Sequence, residues 1–231
     1  DKAFKSVLGR GLKELNDEWL KELKKEYWPE IGVRNFPEEI GEQFTDHTKD
    51  GSYLNVAPAF CPKGDKIAFL SDRQDYNDIY LMSAIDGTIL KRIVKGERSS
   101  KFESMSWLKG RITWNRDNRR IAFVAFSEGR DILYIYDVRE KKQLRKYILD
   151  YDAISYPSWS PQEEKIVFTG LKNGQTDLYI IDLNSSKTIQ LTNDLADDIQ
   201  PVWSPDNQKI AFVSDRKISC QSGNTAERIY N

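Results

Sequence analysis

The chain has 231 residues, with 35 Lys and Arg against 36 Asp and Glu and a formal net charge of −1. It therefore lacks the basic excess with which a dedicated nucleic-acid binder neutralises phosphates. With 39% hydrophobic and 12% aromatic residues it is too rich in core formers for disorder, yet no apolar run nears the ~20 residues of a membrane-spanning helix. The only histidine is His47 and the only cysteines are Cys61 and Cys220. They cannot build a paired-histidine zinc site or a disulfide framework. No Gly-x-Ser-x-Gly elbow and no phosphate-cradling Gly-x-x-x-x-Gly-Lys-Ser/Thr loop occurs. No catalytic group, metal or cofactor is expected. The sequence starts at Asp1 without a basic-then-apolar signal segment and reads as a piece of a longer polypeptide.

In residues 1–36, Leu12, Leu15, Trp19, Leu23 and Tyr27 recur at steps of three and four, with Lys and Glu opposite. That spacing predicts an amphipathic helix, with Asn16 or Asp17 as its cap and Pro29 as its stop. Glu30–Phe44 reads as a linker, and the boundary with the next domain is placed at 36/37.

From there a repeat organises the chain. Phe60-Cys61-Pro62 leads to Lys66-Ile67-Ala68-Phe69, and Trp114-Asn115-Arg116 leads to Arg120-Ile121-Ala122-Phe123. Trp159-Ser160-Pro161 leads to Lys165-Ile166-Val167-Phe168, and Trp203-Ser204-Pro205 leads to Lys209-Ile210-Ala211-Phe212. The closing Phe recurs at intervals of 54, 45 and 44; the first is long because Arg98–Gly110 reads as an insertion. Asp78-Ile79-Tyr80, Asp131-Ile132-Leu133-Tyr134 and Asp177-Leu178-Tyr179 come next in their units, each Tyr 11 residues after its Phe. Each unit reads as four short strands. A Trp or Phe strand is followed by a turn with Pro and a left-handed Gly or Asn (Pro62-Lys63-Gly64, Pro205-Asp206-Asn207). Then come the Ile-Ala-Phe run, the Asp-Ile-Tyr run and a last strand at Ile89–Ile93, Leu144–Ile148 or Thr188–Thr192. Four strands per repeat of roughly 40–45 residues is the arithmetic of a propeller blade.

Trp203–Arg216, reading Trp-Ser-Pro-Asp-Asn-Gln-Lys-Ile-Ala-Phe-Val-Ser-Asp-Arg, closely resembles the blade repeat of TolB-like β-propellers. Ser71-Asp72-Arg73 and Leu191-Thr192-Asn193-Asp194 fit the same pattern, and the resemblance covers Phe44 to Arg216. Cys61, Asn115 and Arg116 depart from it. The expected fold is all-β: a partial β-propeller of four-stranded blades, three complete and a fourth truncated, preceded by a short α-helical segment. The fourth blade's third strand is sought in Arg228-Ile229-Tyr230, beyond Lys217–Glu227. Open blade edges are pairing templates, so the remaining blades of the same polypeptide are expected partners. Phe4–Pro29 resembles the closing helices of a peptidase-MA-like (gluzincin) domain. The resemblance implies a non-catalytic module that binds protein or peptide in the bacterial cell envelope, periplasmic or extracytoplasmic. The alternative is a propeller that regulates or gates a peptidase whose catalytic domain lies outside this chain.

In a propeller the loops leading into the innermost strands gather at one mouth of the central channel. Here these are Asp46–Asn55, Asp150–Tyr156 and Asn193–Gln200. They bring Asp46, His47, Asp50, Tyr53, Asp152, Tyr156, Asp194, Asp197 and Asp198 to a mouth suited to a basic or extended peptide. Changing Asp197 and Asp198 to Asn is then expected to weaken binding with little effect on folding. Calcium is not favoured, because no Asp-x-Asp-x-Asp-Gly loop is present. The repeated Asp78, Asp131 and Asp177, and the Asp72-Arg73 and Asp215-Arg216 pairs, read as structural, since a catalytic group is needed once and a cohesive one in every blade. Trp114, Trp159 and Trp203 read as packing between blades, Cys61 as a small buried thiol, and a Cys61–Cys220 bond is not expected.

Overall fold

A computed structural model describes residues 2–28, 35–96, 102–105, 110–162 and 164–216. It divides into two compact units, residues 1–44 and 45–231. The first unit holds α1 (Lys2–Leu8), α2 (Leu12–Tyr27) and α3 (Pro37–Ile40). The amphipathic pattern does form a helix, but α2 starts four residues before the expected cap. Gly11 takes the extended N-cap conformation, and the Glu14 carboxylate accepts its N–H at 2.9 Å, so Asn16 and Asp17 lie inside the helix. The helix ends as Trp28 N donates to Lys24 O at 2.9 Å; Pro29 lies outside the described residues. The units part between Phe44 and Thr45, later than the 36/37 expected from the pattern. Phe36 and Glu39 engage α2: Lys21 Nζ lies 4.3 Å from the Phe36 ring centroid and 3.0 Å from Glu39. Pro37 opens α3, where its missing N–H costs nothing.

The second unit begins with α4 (His47–Asp50), a single helical turn where the pattern indicated a loop, and continues in strands. The first sheet is β1 (Asn55–Phe60), β2 (Lys66–Ser71), β3 (Asp78–Ser83) and β4 (Ile89–Val94). The second is β5 (Thr113–Trp114), β6 (Arg120–Ser127), β7 (Arg130–Asp137) and β8 (Lys142–Ile148), and the third is β9 (Ala153–Trp159), β10 (Lys165–Lys172), β11 (Gln175–Asp182) and β12 (Thr188–Gln190). The fourth holds β13 (Asp198–Trp203) and β14 (Ile210–Ser214). Every sheet is an antiparallel meander in chain order, and β1, β5, β9 and β13 adjoin one another in succession. Three complete blades and part of a fourth thus surround a hub, as expected. Arg228-Ile229-Tyr230, Lys217–Glu227 and Cys220 lie outside the described residues, as does most of Arg98–Gly110. Of that insertion, Phe102 and Met105 are buried, and Ser104 O accepts from Phe126 N at 2.8 Å.

The recurring interval of 11 residues has a direct cause. Phe69 lies opposite Tyr80, Phe123 opposite Tyr134 and Phe168 opposite Tyr179 in the ladders of second and third strands. The last two pairs stack at 5.7 and 5.8 Å between centroids. A third group covers each pair, and its chemistry changes from blade to blade. It is the Arg73 guanidinium in the first (5.4 and 5.1 Å), Phe102 in the second (6.0 and 5.0 Å) and Tyr151 in the third (5.5 and 4.5 Å). In the fourth blade Arg216 lies 5.5 Å over Phe212.

In the first three blades the second strands bury both faces, and alternate residues serve different blades. Ile121 and Phe123 join the first blade's Ala68, Leu70 and Ile79, while Ala122 and Val124 join the third blade's Ile154, Trp159 and Ile166. Val167 does the same for Ile210 and Trp203 of the fourth. Each Trp therefore packs on the preceding blade; Trp114 Nε1 also donates to Ala59 O at 3.0 Å. At the hub, Ala57, Tyr156 and Gln200 each adopt left-handed φ (52, 50 and 57°). Each stands three residues before the blade's Phe60, Trp159 or Trp203 and directly before Pro58, Pro157 or Pro201. The inner ladder shifts register at these points, a bulge repeated in three blades. The turns are left-handed at Gly64 (φ 74°) and Asn207 (φ 61°).

The recurring aspartates tie each third strand to the next segment of chain. Asp78 is fully buried and accepts from Gly96 N at 2.7 Å and Arg92 Nη1 at 3.0 Å. Asp177 accepts from Thr192 Oγ1 and Gln190 Nε2, both at 3.1 Å, and Thr192 Oγ1 in turn accepts Leu178 N at 3.0 Å. The Leu-Thr signature is thus a hydroxyl clamp. Asp131 reaches the next blade, accepting Ile154 N at 3.0 Å. Burial raises Asp177 above the ordinary carboxylate value; the charges of Asp198 and Asp194 push the same way, against the two hydrogen bonds.

A Cβ on Gly96 would stand 1.9 Å from Asn77 O and 2.9 Å from Met105 Cγ. Gly96→Ala is therefore expected to lower unfolding stability by at least ~2 kcal/mol in urea titrations. Because Asp177 holds its proton more tightly folded than unfolded, its ionisation costs stability as pH rises through and above the unfolded value. Wild type should lose stability relative to Asp177→Asn across that window and then level off; a constant difference from about pH 4 to 7 would contradict this.

Candidate functional site

In an antiparallel meander, each first strand starts at the end where the second strand finishes. Hydrogen bonds between the leading loops and the turns after the second strands confirm this. Asp72 Oδ1 accepts Tyr53 N and Leu54 N, both at 2.8 Å. Asp152 N donates to Leu171 O at 2.9 Å, and Asp152 Oδ2 accepts Asn173 N at 3.0 Å. Asp215 Oδ1 accepts Asp197 N at 2.8 Å. The three leading loops therefore share one end of the hub.

The candidate residues differ in what is left for a ligand. Asp46 caps α4: its carboxylate accepts Thr48 N at 3.0 Å and lies 2.9 Å from Lys49 Nζ. The Thr48 hydroxyl and then Lys49 hold it well below the usual carboxylate range. His47, the first residue of α4, is exposed. Tyr53 is 91% exposed, although its backbone is fixed by Asp72. Asp152 is exposed with one oxygen engaged, Tyr156 is half-buried at the hub bulge, and Asp197 is exposed.

Asp194 and Asp198 are brought together by Arg216, whose Nη2 lies 2.8 and 2.5 Å from their Oδ2 atoms. Asp198 has no solvent exposure, and its Oδ1 accepts no hydrogen bond among the described residues. It does not face the mouth. Arg73 makes the matching clamp in the first blade, reaching Asp50 Oδ2 at 3.4 Å and Asn55 Oδ1 at 3.3 Å. Burial would raise Asp50, but Ser52 and then the Arg73 charge outweigh it and hold it low. The Asp-Arg pairs thus serve the blade twice: the Asp fixes the leading loop, and the Arg covers the Phe and pairs with that loop's acid. Among the described residues no cluster of His, Cys, Asp and Glu could hold a metal ion. Cys61 is a buried free thiol whose Sγ lies 3.0 Å from Asp65 Oδ1.

The pattern reading passed over Arg111. It stands three residues before Trp114, the position of Ala57, Tyr156 and Gln200. Ile112 comes next where the other blades have Pro. The Arg111 Nη1 donates to Pro201 O at 3.3 Å, joining the second blade's hub segment to the fourth blade's β13. The missing X-Pro step is the signal that would have marked it.

The charge pairing within the fourth blade can be measured. Arg216→Gln leaves the buried Asp198 carboxylate without its cation and is expected to cost about 3 kcal/mol, read as a lower urea midpoint. Asp197→Asn should move it by less than ~0.5 kcal/mol. The two neighbouring acids are thereby separated: one is buried and paired, and the other stays exposed.

Comparisons with known proteins agree with this architecture. Residues 111–226 match the family described as TolB beta propeller domain. Among solved structures, TolB from Acinetobacter baumannii superposes with a TM-score of 0.60 at 22% identity, covering 72% of this chain and 38% of that one. A structure assigned to TolB from Agrobacterium tumefaciens gives 0.60 at 19% identity, covering 71% and 55%. The chain therefore spans little more than a third to about half of these structures, and at such identities the likeness speaks for the fold. No curated protein sequence matches. With four tandem repeats, a hub of adjoining first strands and a family match over half its length, the chain belongs to the TolB beta propeller domain family.

Proposed function

We propose that this chain is a non-catalytic binding module that receives a protein or peptide at the hub mouth, within a larger bacterial cell-envelope protein. One contrast carries the reading. The repeated polar groups (Asp72, Asp78, Asp131, Asp177 and Asp215) are engaged inside or between blades. The mouth instead presents an exposed Tyr53 ring and an exposed Asp197 carboxylate. Aromatic and acidic groups on a rigid rim suit a basic or extended peptide. An extracytoplasmic location goes with the family resemblance. No described helix is long and apolar enough to cross a membrane, and nothing in the charge balance favours nucleic acid. The fourth blade exposes Val213 (53%) and the first exposes Phe60 (63%), on faces that in the other blades meet a neighbour. Further blades of the same polypeptide are the partners proposed for them.

A second reading, a propeller that regulates or gates a peptidase, draws on α2. Leu12, Trp19 and Tyr27 lie exposed along one face, as on a helix taken from a larger domain. His-Glu-x-x-His encoded upstream of Asp1 would favour it; Gly-x-Ser-x-Gly downstream of Asn231 would point to a hydrolase on the other side.

The test is binding by peptides selected from a displayed random library. Tyr53→Ala and Asp197→Asn should each weaken the selected peptides several-fold, and Asp197→Asn should reduce their salt sensitivity. Unchanged affinities would remove the mouth assignment. The purified chain should not hydrolyse peptides or esters; hydrolysis abolished by His47→Ala would overturn the non-catalytic reading.

A further inference from the structure

We infer that Arg111 is a carboxylate-binding residue inside the hub, so that a ligand entering the mouth is anchored by a carboxylate below the acidic rim. The inference rests on the binding-module reading and names the ligand group that module takes.

Three observations carry it. First, β1, β5, β9 and β13 are the first, edge strands of their sheets and adjoin in succession. A bond from Arg111, just before β5, to Pro201 O in β13 passes over β9, so the guanidinium lies on the hub side of the strands. Second, the guanidinium is partly buried and incompletely used. Among the described residues its hydrogen bonding is the single Nη1–Pro201 O contact, so that Nη2 and Nε have no acceptor among those residues. No carboxylate among them partners it, and burial alone pulls its pKa below the ordinary arginine value. It lines a small cavity together with Ala57, Leu70 and Ile79. A guanidinium held by one carbonyl, with the rest of its fork open, is prepared for a two-pronged acceptor.

Third, Arg111 is singular. The other three blades have a left-handed residue followed by Pro at this step, and those residues (Ala57, Tyr156 and Gln200) are uncharged. A feature present in every blade serves cohesion; a cation present once at the hub does not follow from the repeat. Asp197 precedes Gln200, the residue at the matching step, by three residues, about 10 Å of strand. Asp197 thus stands about three residues of extended chain outside the step that Arg111 occupies. The arrangement fits a chain carrying a cation shortly before its carboxylate.

The carboxylate has two sources, a chain terminus or an acidic side chain. The probes are N-acetylphenylalanine, N-acetylphenylalanine amide and N-acetylaspartate amide, titrated into the 231-residue chain while the Arg111 side-chain N–H signals are followed by NMR. At least one acid probe is expected to bind about tenfold more tightly than the amide without a carboxylate and to shift the Arg111 signals. The acid that does so identifies the source. Arg111→Gln should abolish the preference. Arg111→Lys, which keeps the charge without the fork, should retain a reduced one and covers the case in which the Gln variant does not fold. Equal binding of acids and amide, no binding by any probe, or a preference that survives Arg111→Gln would overturn the inference. Library peptides separate it from the broader reading. If they fail to bind while the acid probes still report Arg111, the protein-ligand reading falls alone; if they bind with affinities unchanged by Arg111→Gln, the carboxylate site falls alone.

Discussion

The propeller unit depends throughout on sheets that are apolar on both faces. Ile121, Ala122 and Phe123 are all within 2% of complete burial, and adjacent members of the run look toward different blades. Such a sheet has no solvent-tolerant side and must be enclosed between two others. Because strands twist with a fixed hand, enclosing one sheet after another turns each against the last. The short first strands then meet at a hub, and the polar chemistry is driven to the two ends.

That constraint sorts the polar residues. Within the blades a carboxylate is tolerated only where it is hydrogen-bonded or paired, as Asp78 is to Gly96 and Arg92, because an unmatched buried charge is costly. Such groups recur because each blade needs its third strand tied to the chain beyond it. The same applies to Arg73 and Arg216, which cover a Phe and pair with the acid of a leading loop. The cover over the Phe–Tyr pair can be guanidinium, phenyl or phenol because the requirement is a flat group of the right size. The groups the blade does not use stay apart from this scheme: exposed side chains of the leading loops, and Arg111, a cation at a step where the other three blades carry an uncharged residue.

The hub bulge links cohesion to recognition. A left-handed residue before Pro re-aims one side chain in the first strands of the first, third and fourth blades. In the second blade that geometry is absent and Arg111 stands there, bonded across to Pro201 of the fourth. The same contact joins the strands on either side of β9 and fixes where the guanidinium stands, so cohesion of the scaffold and placement of this cation come from one bond.

The blade is legible in the order of residues alone. The 11-residue interval between Phe and Tyr is the geometry of two strands read across a hairpin. The Ile-Ala-Phe run, the turn Pro with Gly64 or Asn207, and the Trp of each unit are local requirements written at fixed spacing. The fate of individual loop residues is not legible in the same way. Asp197 and Asp198 are chemically identical neighbours, yet one reaches water and the other lies buried against Arg216, because successive residues at a strand start point to opposite faces. The helix start at Leu12 is likewise hidden, since Glu14 reaches back to Gly11 in a way that residue type does not announce. Folding alone places Arg111 beside Pro201, 90 residues away. Contacts across a hub depend on how many turned sheets lie between two strands, and no interval along the chain encodes that.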